Sequence, residues 1–217
     1  MLSFIAASSV TAMLAGSPEP AAQRPADLPT IPTVTISVHS APSISPAIID
    51  QTLDEASAIW RPTGVTFKWQ KVDARRAKAT APQPTRPRVM IDDRRGTPRG
   101  AASPIGWVNF VDDEPDGDIH VSHANADRMV LTVGGVNGAT RRMTPAERFL
   151  LMGRTLGRAL AHEIGHYLLK SKEHTTNGLM KGRRTLKEFI DADRGGFEVD
   201  TSQREAIVRR IRELAPI

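Results

Sequence analysis

The segment Ala159-Leu160-Ala161-His162-Glu163-Ile164-Gly165-His166-Tyr167-Leu168-Leu169-Lys170-Ser171-Lys172-Glu173-His174 organises the reading of the whole chain. At about 100° per residue in a helix, His162 and His166 project along one line with Thr155 and Ala159. Two imidazoles one turn apart can both reach a single tetrahedral zinc ion, at Zn–N distances of about 2.0–2.1 Å. Glu163, about 100° further round, can touch a metal-bound water without ligating the metal. A catalytic zinc takes three protein ligands and keeps one position open. His174 is the expected third ligand, carried by a chain that folds back once the helix stops near residues 169–171; Glu173 is the competing donor.

Upstream, Thr144-Pro145-Ala146-Glu147 is a capping box with proline at the first helical position. No breaker stronger than glycine follows before Lys170, which predicts a helix of about 25 residues, roughly 37 Å long. Phe149, Met152, Leu156, Leu160, Ile164 and Leu168 form its broad apolar side. Gly153, Gly157, Ala161 and Gly165 recur every fourth residue beside them. Interior glycines cost about 1 kcal/mol each, so this stripe is expected to admit the sheet or a neighbouring helix at close range. Downstream, Asn177-Gly178-Leu179-Met180 predicts a tight turn that brings the Met180 thioether beneath the histidines as an apolar floor. A core-filling methionine after a turn describes the same physics. Arg184 to Ile190 suits a short helix. The box Ser202-Gln203-Arg204-Glu205 opens a closing helix with the apolar stripe Ile207, Val208, Ile211 and Leu214.

Towards the N-terminus, Val34, Ile36 and Val38 alternate with polar residues as in a half-buried strand. Ser45-Pro46 starts a helix carrying Ile49, Leu53, Ala56 and Trp60, which ends before Pro62-Thr63-Gly64. Val65 to Trp69 alternates again. Strand–helix–strand order predicts a mixed α/β sheet with parallel neighbours. Arg88–Ile91, Ile105–Phe110 and Ile119–Ser122 supply three further strands. The acidic run Asp112 to Asp118 lacks the spacing of a calcium loop and suits a solvated hairpin tip. Lys71 to Arg88 reads as a basic surface loop, and Gly134, Gly135 and Gly138 as a flexible connection. His120 and His123, three apart on a strand, would face opposite sides. That geometry argues against a second metal shared with Asp116, Asp118 or Asp127.

Composition removes several function classes. The 217 residues contain no cysteine, which excludes disulfides, thiolate metal sites, a cysteine nucleophile and thiol-blocked latency. A net charge of +5 from 29 basic and 24 acidic residues is modest. The basic stretch Lys71 to Arg99 lacks interleaved aromatics, so no nucleic-acid partner is expected. Leu2 to Ala15 is uncharged and apolar, too short to span a bilayer but suited to the core of a secretory signal, with Val10-Thr11-Ala12 meeting the small-residue cleavage rule. Residues 1–32 are therefore read as a signal peptide or disordered Pro/Ala-rich leader, with secretion or periplasmic export and no stable membrane insertion. Residues 33–217 are read as a single domain, 33–169 its upper part and 170–217 its lower part.

With His162-Glu163-x-x-His166, His174 and Gly178-Leu179-Met180 in hand, the chain resembles the metzincin clan of zinc metallopeptidases. The strand–helix–strand opening and the strand before the acidic hairpin also look like the metzincin upper subdomain. In the clan pattern H-E-x-x-H-x-x-G-x-x-H a glycine stands where this chain has Leu169, and the third histidine comes two residues sooner. No tyrosine follows Met180, so a tyrosine ligand is not expected, and Tyr167 is assigned to packing. The resemblance implies a mostly parallel twisted sheet, two long helices of which the second carries the zinc motif, and a small irregular lower subdomain with a C-terminal helix. It also implies peptide-bond hydrolysis by zinc-activated water. In that scheme His162, His166 and His174 are ligands, Glu163 is the general base, Met180 lies in the Met-turn and the substrate is a peptide or protein. The strand around Gly106-Trp107-Val108, as a sheet edge, could pair with an extended substrate. Lys181, Arg183 and Arg184 on the wall after Met180 hint at acidic side chains in that substrate. A zinc-binding interaction domain without turnover is the alternative; such a site has no need of Glu163.

Overall fold

The computed structural model describes residues 31–72, 85–93, 104–133 and 143–214. The apolar leader, most of the basic loop after Lys71 and the glycine-marked connection lie outside those residues. The described residues form strand β1 (Val34–Ser40), helix α1 (Pro46–Trp60), a 3₁₀ turn (Arg61–Thr63), β2 (Phe67–Val72), β3 (Arg88–Asp92), β4 (Gly106–Val111) and β5 (Glu114–Ser122). Helices α2 (His123–Val133), α3 (Pro145–Leu169), α4 (Leu186–Ile190) and α5 (Thr201–Leu214) follow. None of these helices is long and apolar enough to cross a membrane.

Period-two burial builds a five-stranded sheet in the order β2-β1-β3-β5-β4. The β1–β2, β1–β3 and β3–β5 pairs are parallel, and only β4 runs antiparallel, against β5. The mixed α/β architecture expected from strand–helix–strand order is thus the observed one. Val34, Ile36, Val38, Val89, Ile91, Ile119 and Val121 are all buried and join the core with α1 and α3. The glycine stripe divides its work. A Cβ at Gly157 would lie 2.5 Å from Glu55 Cβ and 2.8 Å from the Thr52 carbonyl, and one at Gly153 would overlap Gln51, so these glycines let α1 in. Gly165 gives its space instead to the Met180 sulfur.

Four expectations need correction. The second strand begins at Phe67 rather than Val65, because Val65 closes the preceding turn through the Thr63 hydroxyl. The acidic run is mostly strand: only Asp112 and Asp113 turn, at φ 49° and 61°, the two-residue hairpin geometry with both central φ positive. Helix α2 is not among the elements the sequence predicts, and His123 starts it rather than continuing β5. The cap of α5 is Asp200, whose carboxylate accepts from the Ser202 N–H at 2.8 Å, not Ser202 itself. The α3 boundaries match the expectation, with the Thr144–Glu147 capping box formed in both directions.

The segment after α3 is fastened by a buried cation. Arg158 on α3 donates to Glu55 Oε1 on α1 at 3.1 Å and to the carbonyls of Glu188, Asp191 and Asp193 at 2.5, 2.8 and 2.7 Å. Glu55 accepts on its other oxygen from Arg194 at 2.7 Å.

Candidate metal centre

Helical periodicity sets two of the site's imidazoles, and the end of α3 sets the third. The helix stops because Lys170 takes the left-handed conformation at φ 49°. That position lies one residue after Leu169, where the clan pattern has glycine. The chain then doubles back and returns His174 to the helix. Ring centroids lie 4.7 Å apart for His162–His166, 5.3 Å for His162–His174 and 4.8 Å for His166–His174. One ring nitrogen from each gathers within 4.8 Å of the others. Glu173 is exposed and outside this group.

The hydrogen bonds behind the rings fix their tautomers. His162 Nδ1 lies 2.7 Å from the Leu179 carbonyl and His166 Nδ1 lies 2.6 Å from the Ser171 carbonyl. A carbonyl only accepts, so each Nδ1 carries a hydrogen and each Nε2 presents a lone pair. Those two lone pairs face one another at 3.1 Å. The edge of a tetrahedron with metal–nitrogen bonds of 2.0–2.1 Å is about 3.3 Å, so the spacing suits two ligands of one ion. Burial holds His162 down at about 4, against the opposing Leu179 hydrogen bond, and burial likewise lowers His166. At neutral pH both rings are therefore neutral donors, as metal ligation requires. The residues fit a zinc ion.

The turn beneath them is built from backbone. Thr175 N–H donates to the Met180 carbonyl at 2.9 Å, Gly178 turns at φ 66°, and Leu179 N–H donates to the Glu198 carbonyl at 2.6 Å. Met180 is buried, with its sulfur against Gly165 on the helix that carries the histidines. Arg184 Nη2 donates to the Leu179 carbonyl at 3.2 Å, the same oxygen that orients His162. The Arg184 guanidinium lies 3.8 Å from the centre of the Phe197 ring.

Glu163 sits 7% exposed on the same helix and is held up at about 8 by burial alone. Its neighbour across the cleft is Gly106 at the start of β4. Both belong to a cleft of about 880 Å³ that also holds the three histidines, Trp107 and Phe189. Acidic neighbours offset part of the basic charge around the cleft. Lys181 and Arg184 share Glu188 at 2.7 and 3.5 Å, and Lys172 pairs with Asp113 at 2.8 Å. The sequence places Gly106 on a sheet edge but gives no sign of its contact with Glu163, nor of the Ser171 and Leu179 carbonyls behind the histidines. Backbone acceptors leave no mark in residue identity.

The remaining histidines stay apart. His120 stacks on Trp107 with ring centroids 4.9 Å apart and planes within 3°. His123 Nδ1 lies 3.2 Å from Asp93 Oδ1. Among the described residues no second group of three histidine or carboxylate ligands converges.

No protein-family model and no curated protein matches this chain. Among solved structures, the crystal structure of archaemetzincin from Methanopyrus kandleri is similar, with a TM-score of 0.49 and 15% sequence identity. The alignment covers 83% of this chain and 96% of that one.

Proposed function

We propose that this chain is a zinc-dependent metallopeptidase of the metzincin type. One observation carries the reading: two imidazole lone pairs face each other at 3.1 Å beside a third imidazole and a buried carboxylate. His162, His166 and His174 would hold the metal, and Met180 would close the site from below. A zinc ion there would supply Lewis acidity and lower the pKa of a bound water. Glu163 takes the proton from the attacking water and passes it to the leaving nitrogen. Burial raises its proton affinity well above that of an ordinary carboxyl, as holding the transferred proton between water and leaving group requires. β4 is the outermost strand beside the cleft, so an extended peptide could add to the sheet there.

The test is zinc content by mass spectrometry and hydrolysis of quenched-fluorophore peptides for wild type, Glu163→Gln and His174→Ala. Wild type and Glu163→Gln should each hold one zinc, while Glu163→Gln loses about 10²–10⁴ in turnover. His174→Ala should bind zinc more weakly. Wild type that binds zinc but hydrolyses nothing would make the domain a binding module. Undiminished hydrolysis in Glu163→Gln would remove the base, and unchanged zinc affinity in His174→Ala would reassign the third position to Glu173 or water.

A further inference from the structure

Gly106 meets Glu163 at a distance only glycine permits. A Cβ at residue 106 would lie 2.6 Å from Glu163 Cγ, 3.0 Å from Oε1 and 3.2 Å from Cδ. Carbon atoms in contact prefer about 3.5–4.0 Å, so with any other residue at 106 something must move. Backbone conformation does not demand this glycine, because the φ of Gly106 lies outside the left-handed region. Its missing side chain is what matters.

The surroundings decide which partner would give way. The start of β4 is held on several sides. Ser122 N–H donates to the Ile105 carbonyl at 2.7 Å, and the Asn125 side chain donates to the Pro104 carbonyl at 2.8 Å. Gly106 pairs with Val121 and Trp107 with His120 in the antiparallel ladder. The stacked Trp107–His120 rings, on the opposite face of the sheet from the Gly106–Glu163 contact, brace the strand further. The backbone of α3 is equally fixed, with Ile164, Gly165 and His166 buried around Glu163. The Glu163 carboxylate is the loose component, since no hydrogen bond or ion pair among the described residues anchors it. Side-chain torsions are therefore the softest coordinate available.

We propose that Gly106 is a positioning residue for the base: the empty space above its Cα selects the Glu163 rotamer that keeps the carboxylate at the cleft. This rests on Glu163 acting as the base, although the contact itself does not. The sheet edge thus has a role in the chemistry apart from any pairing with substrate.

The test uses Gly106→Ala, Glu163→Ala and the double variant in the full-length zinc protein. Gly106→Ala should keep its zinc and lose about 10²-fold in kcat with KM within twofold, as a displacement of about 1 Å predicts. Damage to a substrate-binding edge would raise KM instead. A crystal structure of Gly106→Ala should show Glu163 in a new rotamer and β4 unmoved. Wild-type kcat in Gly106→Ala, or a shifted strand with Glu163 in place, overturns the proposal. If Gly106→Ala folds poorly, the double variant, which removes the Glu163 atoms in the way, should recover the melting temperature of Glu163→Ala; failure to recover is equally fatal. An inactive wild type would defeat the peptidase reading while the rotamer measurement still judged the contact.

Discussion

Arg158 and Glu163 stand five positions apart on one helix, each nearly sealed from solvent, and the protein treats them in opposite ways. The guanidinium of Arg158 is fully buried, donates to Glu55 and three backbone carbonyls, and lies 4.9 Å from the centre of the Phe197 ring. The carboxylate of Glu163 is buried to 7% exposure with no partner among the described residues. Helix and burial are shared, so the difference lies in the partners. A buried charge with its donors satisfied fastens chain segments together. A buried carboxyl left without partners raises its own pKa and becomes available to move a proton. The cation ties α1, α3 and the segment after α4; the acid faces the cleft.

Arg158→Met tests the first half of that contrast and carries the largest expected effect. It strands Glu55 with only the half-exposed Arg194, and it leaves the Glu188, Asp191 and Asp193 carbonyls without this donor. Removing one member of a buried pair costs about 3–5 kcal/mol, or roughly 10 °C in melting temperature for a chain of this size. Calorimetry of the metal-free protein reads it. A loss below about 2 °C would mean that the network does not fasten the fold, and the contrast would fail.

Glu163→Gln should have the opposite sign. The folded chain holds the Glu163 proton up to about 8, against an ordinary value of 4.5, so between those values it binds more protons than the unfolded chain. Its contribution to stability is full below about 4.5 and is lost as pH rises through 8. His162 gives the other flank: lowered from 6.5 to about 4, it costs stability as pH falls through that window. In chelator, metal-free Glu163→Gln should melt several degrees above wild type at pH 8–9 and within a degree of it near pH 4.5. Equal melting across the range would show that Glu163 is not desolvated.

What could be read in advance divides along the same line. The projection of His162 and His166, the start and length of α3, and the small stripe beside them follow from periodicity and capping chemistry local to one helix. The partners of the stripe, Gln51 and Glu55 on one side and Met180 on the other, depend on the tertiary arrangement. So do the bonds of Arg158, since Glu55 lies 103 residues away in sequence and reads there as an ordinary helix-surface acid. Helix α2 was hidden because it starts directly after β5 with no breaker between them. Its one local signal is Ser122, whose hydroxyl accepts from the Asn125 N–H at 3.2 Å, with Ala126 and Val130 buried one turn apart. Gly106 looked like any strand glycine. Its meaning comes from a side chain on another element.

The smallest expected effect separates loss of stability from loss of arrangement. Thr144 starts α3: its hydroxyl accepts from the Glu147 N–H at 3.2 Å, and Glu147 Oε2 accepts from the Thr144 N–H at 2.8 Å. Thr144→Ala should cost about 1 kcal/mol, which is about 2–4 °C. The cap lies several turns from both buried groups and shares no partner with either. The gain of Glu163→Gln at pH 8–9 should therefore be the same in the Thr144→Ala background to within about 0.5 kcal/mol, and zinc content should not change. Distant sites add when no shared partner or backbone shift couples them. A gain that shrank in the double variant would mean that fraying at Thr144 reaches the buried acid, and that Glu163 owes its environment to the whole length of α3 rather than to the glycine facing it.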